Sequence, residues 1–477
     1  MNFAEGKYGV FLFVVFTLFW MLRNRKAMRH MMLLLGSYFF YAQWNFYYLG
    51  LIVFSSLLDF NLGRLIYRAQ DARRRKLYLI CSLVGNLGVL AAFKYFNFFA
   101  GSGEALLAVV GLDVATPTLH VLLPVGISFY TFQTLSYTID IYRGKLEPTD
   151  SVLDFSLFVG FFPQLVAGPI VRASYFLPQL EKQPVYDDDQ AVDGIYLILK
   201  GLTKKIIIAD FLGRWLVEAA FEDPGAYHGL RVLIGVYAYA FQIYGDFSGY
   251  TDVAIGSAKM LGFNIPINFN RPYLATDLQD FWRRWHISLS TWLRDYLYIP
   301  LGGSRCSNAR TYANLLITMV LGGLWHGANW TFVVWGTLHG GALAITRMVQ
   351  RSGLVPSIDL PPWADTAVQT LKRFATFHLV CLGWVFFRSP TFGEATDLLR
   401  SLTTGGSTGL DHPYSVGAVG LLLLAAAAHF TPKSWDGALA KLFQRTPVVV
   451  KAVIVVFAIA LFSLFSDRGT PFIYFQF

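Results

Sequence analysis

The chain has 477 residues, of which 55% are hydrophobic, 17% aromatic and 14% charged, where an ordinary soluble domain carries about 25% charged residues. So few charges cannot cover the apolar surface of a water-soluble fold of this length, which makes a lipid bilayer the expected solvent for much of it. The net charge of +9 fits the basic cytoplasmic loops of membrane proteins and gives no reason to invoke a nucleic-acid partner.

Membrane helices need roughly 20 mostly apolar residues, and apolar runs approaching that length recur along the chain. They are Val10 to Leu22, Met31 to Leu58, Leu77 to Phe93, Val121 to Ile139, Phe155 to Val171, Val232 to Ile243, Thr311 to Thr346, Phe374 to Phe387, Val416 to Phe430 and Ala452 to Phe465. The pattern predicts an all-α polytopic membrane protein with about eleven spanning or re-entrant segments. Glu5 and Lys7 precede the first run, and no small-residue cleavage signature follows it before Arg23. It therefore reads as a retained helix and not as a signal peptide. Basic clusters at Arg23 to Arg29 and Arg64 to Lys76 put both loops in the cytoplasm, so the intervening run must go out and return near Gln43 to Asn45. No segment has the composition of a soluble second domain, so one membrane domain over residues 1–477 is expected. Three widely spaced cysteines, Cys81, Cys306 and Cys381, form neither a disulfide framework nor a metal pattern.

Four constellations stand out from this background, in chain order. Leu123 to Ser128 and Pro163 to Ile170 place prolines and glycines inside apolar runs, which breaks helices and leaves backbone to line protein or water. Gly245 to Asp252 places Asp246 and Asp252 at the end of an apolar run, with Asp246 and Tyr250 on one helical face. Such charges face a partner or a wet cavity, and the plain alternative is pairing with nearby arginines at the interface. Phe281 to Asp295 repeats Trp282, Trp285, His286, Leu289, Trp292 and Leu293 at helical spacing, predicting an interfacial helix with His286 on its buried face. The fourth, Leu321 to Trp330, lies inside a run from Thr311 to Thr346 that contains no Lys, Arg, Asp or Glu. As one straight helix that run would span about 50 Å against a hydrocarbon core of about 30 Å, so a bend is expected at Gly322, Gly323 and Gly327. His326 sits at the bend. An ionisable group at that depth points to function by default, and imidazole handles protons near neutral pH.

The wording of these segments resembles the membrane-bound O-acyltransferase family, in particular its bacterial alginate O-acetyltransferase branch. The resemblance rests on Leu123 to Tyr130, Phe162 to Ile170, Gly245 to Gly256, Phe281 to Gly303, Leu321 to Trp335 and Pro471 to Phe477. Its most specific part is Trp282-Arg283-Arg284-Trp285-His286 followed by Leu324-Trp325-His326-Gly327. It implies a ring of membrane helices around a central funnel or tunnel, with His326 as catalytic residue and His286 as the second histidine of the branch. Asp246, Tyr250, Trp285, Trp325 and Asn329 become candidate cavity-lining residues. The implied chemistry is acetyl transfer from cytoplasmic acetyl-coenzyme A, with no bound cofactor, for O-acetylation of an exported polysaccharide such as alginate. Periplasmic acyltransferases are the implied partners, the bacterial inner membrane is the implied location, and some of the chain's positive charge can draw in the anionic donor.

The residues agree with that chemistry. A hydroxyl that attacks a thioester must lose its proton, and imidazole as general base contributes about 10²- to 10⁴-fold. Asn329, Trp325 and His286 are the candidates to orient it or to stabilise the carbonyl oxygen. Neither a metal motif such as H-E-x-x-H nor a phosphate-binding glycine loop occurs, and the donor residues stay unassigned. Direct displacement and an acetylated His326 both remain open. Within the same fold the competing readings are acetylation of cellulose or peptidoglycan and D-alanyl transfer to teichoic acid. A solute transporter would also use broken helices and buried Asp and His, but it leaves the paired histidine motifs unexplained.

Overall fold

The computed structural model describes residues 3–465 and Ile473, apart from 120, 167, 223–226, 353–359 and 405–412. Ala167 and the terminal motif, Ile473 excepted, therefore lie outside the described residues. All regular structure among the described residues is helical, and the chain divides into two compact units.

The first unit comprises residues 1–198 and 253–266. Its centre is a trio formed by Leu49–Arg68, Ala72–Leu90 and Ile127–Tyr142. These helices carry buried polar groups that satisfy one another. Asp59 accepts hydrogen bonds from Ser82 Oγ at 2.6 Å and Asn86 Nδ2 at 2.8 Å, while Ser55 Oγ donates to Asn86 Oδ1 at 2.5 Å. A carboxyl removed from water needs such donors. Met31 to Phe60 does form two helices: Lys26–Ala42 ends just before Gln43, and Leu49–Arg68 follows. The apolar run at Phe155 to Val171 is split at Phe161 into Val152–Gly160 and a single turn, Phe162–Leu165. Pro163 in that turn enters where a missing N–H costs nothing.

The second unit comprises 199–252 and 267–477. Its 199–221 stretch is a helix containing two π segments, Thr203–Ala209 and Gly213–Val217. It runs beside the first part of Leu230–Met260, a helix of 31 residues. Glycine lets the two backbones meet: a Cβ on Gly249 would lie 2.6 Å from the Gly201 carbonyl oxygen. The run from Thr311 to Thr346 bends where the glycines predict, because Asn308–His326 ends at the histidine and Trp330–Ser352 starts four residues later. The two pack extensively against each other. A Cβ on Gly323 would strike the Phe332 carbonyl, and one on Gly340 would lie 2.9 Å from Leu316 Cα. Small residues at these positions substitute for the hydrophobic drive that lipid does not supply.

Five helices among the described residues are long and apolar enough to cross a membrane: Leu49–Arg68, Ala72–Val109, Trp330–Ser352, Pro413–Phe430 and Val448–Phe465. Other predicted runs fold into helices that are short, interrupted or partly polar, such as Leu230–Met260 with its buried Asp246.

Candidate active site

His326 is the last residue of its helix and is buried. Aromatic rings surround it: Trp325 at 5.0 Å between centroids, Trp335 and Phe387 each at 5.2 Å, and His286 at 6.5 Å. Gly327 follows because a side chain there would run into the Phe332 ring. The chain can thus leave the helix abruptly, holding the imidazole at the turn.

His286 reaches the same place by a different device. The stretch from Phe281 to Asp295 is not the single interfacial helix its periodicity predicts. It consists of Leu278–Arg284 and Ile287–Leu293, joined through Trp285 and His286 and continued by a π turn at Arg294–Tyr298. His286 has φ +41° and ψ +55°, a left-handed conformation uncommon outside glycine and costing on the order of 1–3 kcal/mol. No glycine or proline marks the break. The segment at 268–270 imposes it from outside: Asn270 N–H donates to the Arg284 carbonyl and Ile287 N–H to the Asn268 carbonyl, both at 2.9 Å. Helical periodicity survives across the elbow, which is why the pattern looked continuous. The elbow turns the fully buried His286 ring edge-on to Phe247, 4.7 Å away, and towards Trp325 at 5.9 Å.

The remaining candidates separate into groups. Trp285 is fully buried and stacks on Phe281 at 5.6 Å with 15° between planes, closing the wall behind His286 with Trp384 at 4.9 Å. Asp246 is bound to a lysine. Its carboxylate lies 2.8 Å from Lys205 Nζ and accepts a hydrogen bond from Ile473 N–H at 2.7 Å. Lys205 also bonds Asp210 at 2.7 Å and lies 5.6 Å from the Tyr250 ring centre. Asp252 pairs with Lys204 at 2.6 Å. The carboxylates therefore find lysines, where arginines were the expected alternative. Asn329 has a structural post: its Oδ1 accepts from Thr331 N–H at 3.0 Å and its Nδ2 donates to the Pro390 carbonyl at 2.8 Å. The geometry brings His286, His326 and Trp325 together with Trp285 behind, and it gathers Asp246 and Tyr250 around Lys205.

His339 escaped the sequence reading. It is buried on Trp330–Ser352, 4.7 Å from Trp335 and 5.4 Å from Trp282 by ring centroids, and neither of its ring nitrogens has a hydrogen-bond partner among the described residues. Its signal was present, since it lies in the same charge-free run as His326 and one helical turn after Trp335. Lys205 was also legible as a lysine beside a run of isoleucines.

A cavity of about 390 Å³ opens between these same helices, with Trp282, Arg283, Ser290, Thr291, Arg294 and Arg347 among its lining. Ile287, Ser290, Thr291 and Arg294 form one helical face of its wall, and Leu343, Thr346, Arg347 and Gln350 form another. Arg294 is held by Asp295 at 2.7 Å, while the buried Nε of Arg347 has no hydrogen-bond partner among the described residues. Trp282 connects this cavity to the histidines, because its ring lies 5.7 Å from Trp335, which in turn touches His326.

A buried histidine pair lies at a break between two apolar helices, beside a cavity, in an all-helical fold of the class of polytopic membrane proteins. The model of the membrane-bound O-acyltransferase family matches residues 149–371. The chain is 41% identical to the probable alginate O-acetylase of Azotobacter vinelandii, over 83% of this chain and 78% of the relative. With the corresponding Pseudomonas putida protein it shares 37% identity over 98% and 99% of the two chains. It is also 36% identical to the peptidoglycan O-acetyltransferase of Helicobacter pylori, over 80% of this chain and 75% of that one. The chain belongs to the membrane-bound O-acyltransferase family and is an O-acyltransferase.

Proposed function

We propose that the protein takes acetyl groups from acetyl-coenzyme A at the cytoplasmic face of the bacterial inner membrane and passes them across for O-acetylation of an exported polysaccharide, alginate being the first candidate. His326 accepts the proton of the attacking hydroxyl as its oxygen bonds to the thioester carbonyl carbon. The C–S bond then breaks, and the departing thiolate takes the proton from the imidazolium, so His326 ends as it began. In an alternative route a His326 ring nitrogen itself attacks the thioester carbon and expels the thiolate; the acceptor hydroxyl then attacks the acetyl-imidazole, the C–N bond breaks and the hydroxyl proton passes to the freed ring nitrogen, a sequence that would give ping-pong kinetics. His286 stands beside His326, and the aromatic shell excludes water that would otherwise hydrolyse the thioester.

The observation that carries this reading is the meeting of the two motif histidines, 6.5 Å apart by ring centroids, in one buried aromatic shell. The arginine-lined cavity supports a phosphate-rich donor, since guanidinium pairs well with phosphate. The relatives' names support acetyl as the group and a cell-envelope polymer as its destination. The final acceptor is a sugar hydroxyl, reached through a periplasmic partner acyltransferase.

The test uses proteoliposomes with labelled acetyl-coenzyme A outside, and the partner acyltransferase with alginate, cellulose or peptidoglycan fragments inside. Alkali-labile label on alginate supports the full reading. Label on another polymer alone replaces the acceptor, and label on none despite thioester turnover contradicts transfer across the membrane.

A further inference from the structure

We propose that Asn268 is a positioning residue that fixes His286 as its Nδ1–H tautomer, so that Nε2 is the proton-accepting nitrogen. Asn268 is fully buried, and its side-chain oxygen is held by two groups of Ser288, in the first turn of Ile287–Leu293. Ser288 N–H donates to it at 3.2 Å and Ser288 Oγ at 2.6 Å. A backbone N–H can only donate, so the amide cannot be flipped to put its NH₂ there. The same oxygen stands 3.4 Å from His286 Nδ1. An amide oxygen can only accept, and the nitrogen facing it must therefore carry the hydrogen. Tautomer assignment thus runs in a chain from a peptide N–H, through the amide, to the imidazole.

The backbone enforces the arrangement. Ile287 N–H donates to the Asn268 carbonyl at 2.9 Å, Ser290 N–H to the His286 carbonyl at 2.9 Å, and Ser290 Oγ to the Trp285 carbonyl at 3.1 Å. These bonds pin the left-handed His286 from both sides, and strain of that kind persists only where the surroundings over-determine it. Asn268 and His286 are therefore one unit: the amide bends the chain and selects which nitrogen can take a proton. This extends the proposed function by giving His286 a direction, as hydrogen-bond acceptor through Nε2 and not as donor to a carbonyl oxygen.

The experiment is magic-angle-spinning NMR of protein labelled with ¹³C,¹⁵N-histidine in lipid, with the His286 signals picked from the nine histidines by subtraction of a His286→Gln spectrum. Wild type is expected to show the Nδ1–H tautomer, the less favoured form of free histidine, with Asn268→Leu losing it and Asn268→Asp retaining a protonated Nδ1. An Nε2–H tautomer in the wild type, or an unchanged signal in Asn268→Leu, overturns the proposal. Asn268→Asp also guards against misfolding of the leucine variant, because it keeps the acceptor oxygen and nearly the same shape. The tautomer is read without turnover. A fully active His286→Gln enzyme alongside the predicted spectra would refute the role of His286 in transfer while leaving the assignment by Asn268 intact.

Discussion

The imidazoles of His286 and His326 lie 6.5 Å apart by ring centroids, tilted 55° to one another, and Trp325 lies against both, 5.9 Å from the first ring and 5.0 Å from the second. One histidine is delivered by a helix terminus and the other by a strained elbow. Two residues forty positions apart thereby come to share a buried enclosure, and their unequal settings imply unequal sensitivity to mutation.

His326→Ala is expected to abolish acetyl transfer, a loss on the order of 10²- to 10⁴-fold, with the size-exclusion profile unchanged. His286→Ala should impair transfer less severely. Cys306→Ser serves as the control, because its thiol makes only weak contacts with Gly303, Thr311 and Asn314. Steady-state assays on the three purified variants check the order.

Removing the cation from the Asp210, Lys205 and Asp246 group leaves two carboxylates facing each other out of water. Lys205→Met should cost about 3–5 kcal/mol and lower the thermal midpoint in detergent. Lys205→Met combined with Asp246→Asn and Asp210→Asn should recover much of that loss. Thermal unfolding of the single and triple variants decides whether the cluster acts as one electrostatic unit.

Gly323→Val places branched carbons against the backbone carbonyl of Phe332, which cannot rotate aside. A cost of about 1–3 kcal/mol is expected from overpacking, accompanied by lost activity because the same helix ends at His326. Gly341→Val, with open space at its Cβ position, should leave the fold nearly unchanged. Parallel melting curves of the two variants test the close-packing account.

If the cavity receives the donor's phosphates, Arg347→Gln should raise KM for acetyl-coenzyme A roughly tenfold, equivalent to about 1.4 kcal/mol, while kcat changes little. The KM of wild type should also rise with salt, as for any exposed charge pairing. A variant that lowers kcat at constant KM would instead connect Arg347 to the chemical step.

Much of this was legible in the residues. A run of 36 residues without charge had to bend, its glycines marked the place, and His326 sits at that bend. The elbow at His286 was not legible, because helical spacing persists across it and its cause lies at Asn268 and Asn270, far from the motif in local pattern. Asp246 was visible as a buried carboxylate, yet its orientation towards Lys205 depends on which helix packs beside it. Periodicity reports the face a residue lies on, and it does not name the neighbour.

The most direct test of the central claim is release of label from acetyl-coenzyme A, radiolabelled in the acetyl group, by purified wild type and His326→Ala matched for folding. Supplying the periplasmic partner and polymer removes acceptor limitation. Transfer by wild type and none by the variant is the expected result. Equal transfer by both proteins would contradict the assignment of His326, wherever else the chemistry then lay.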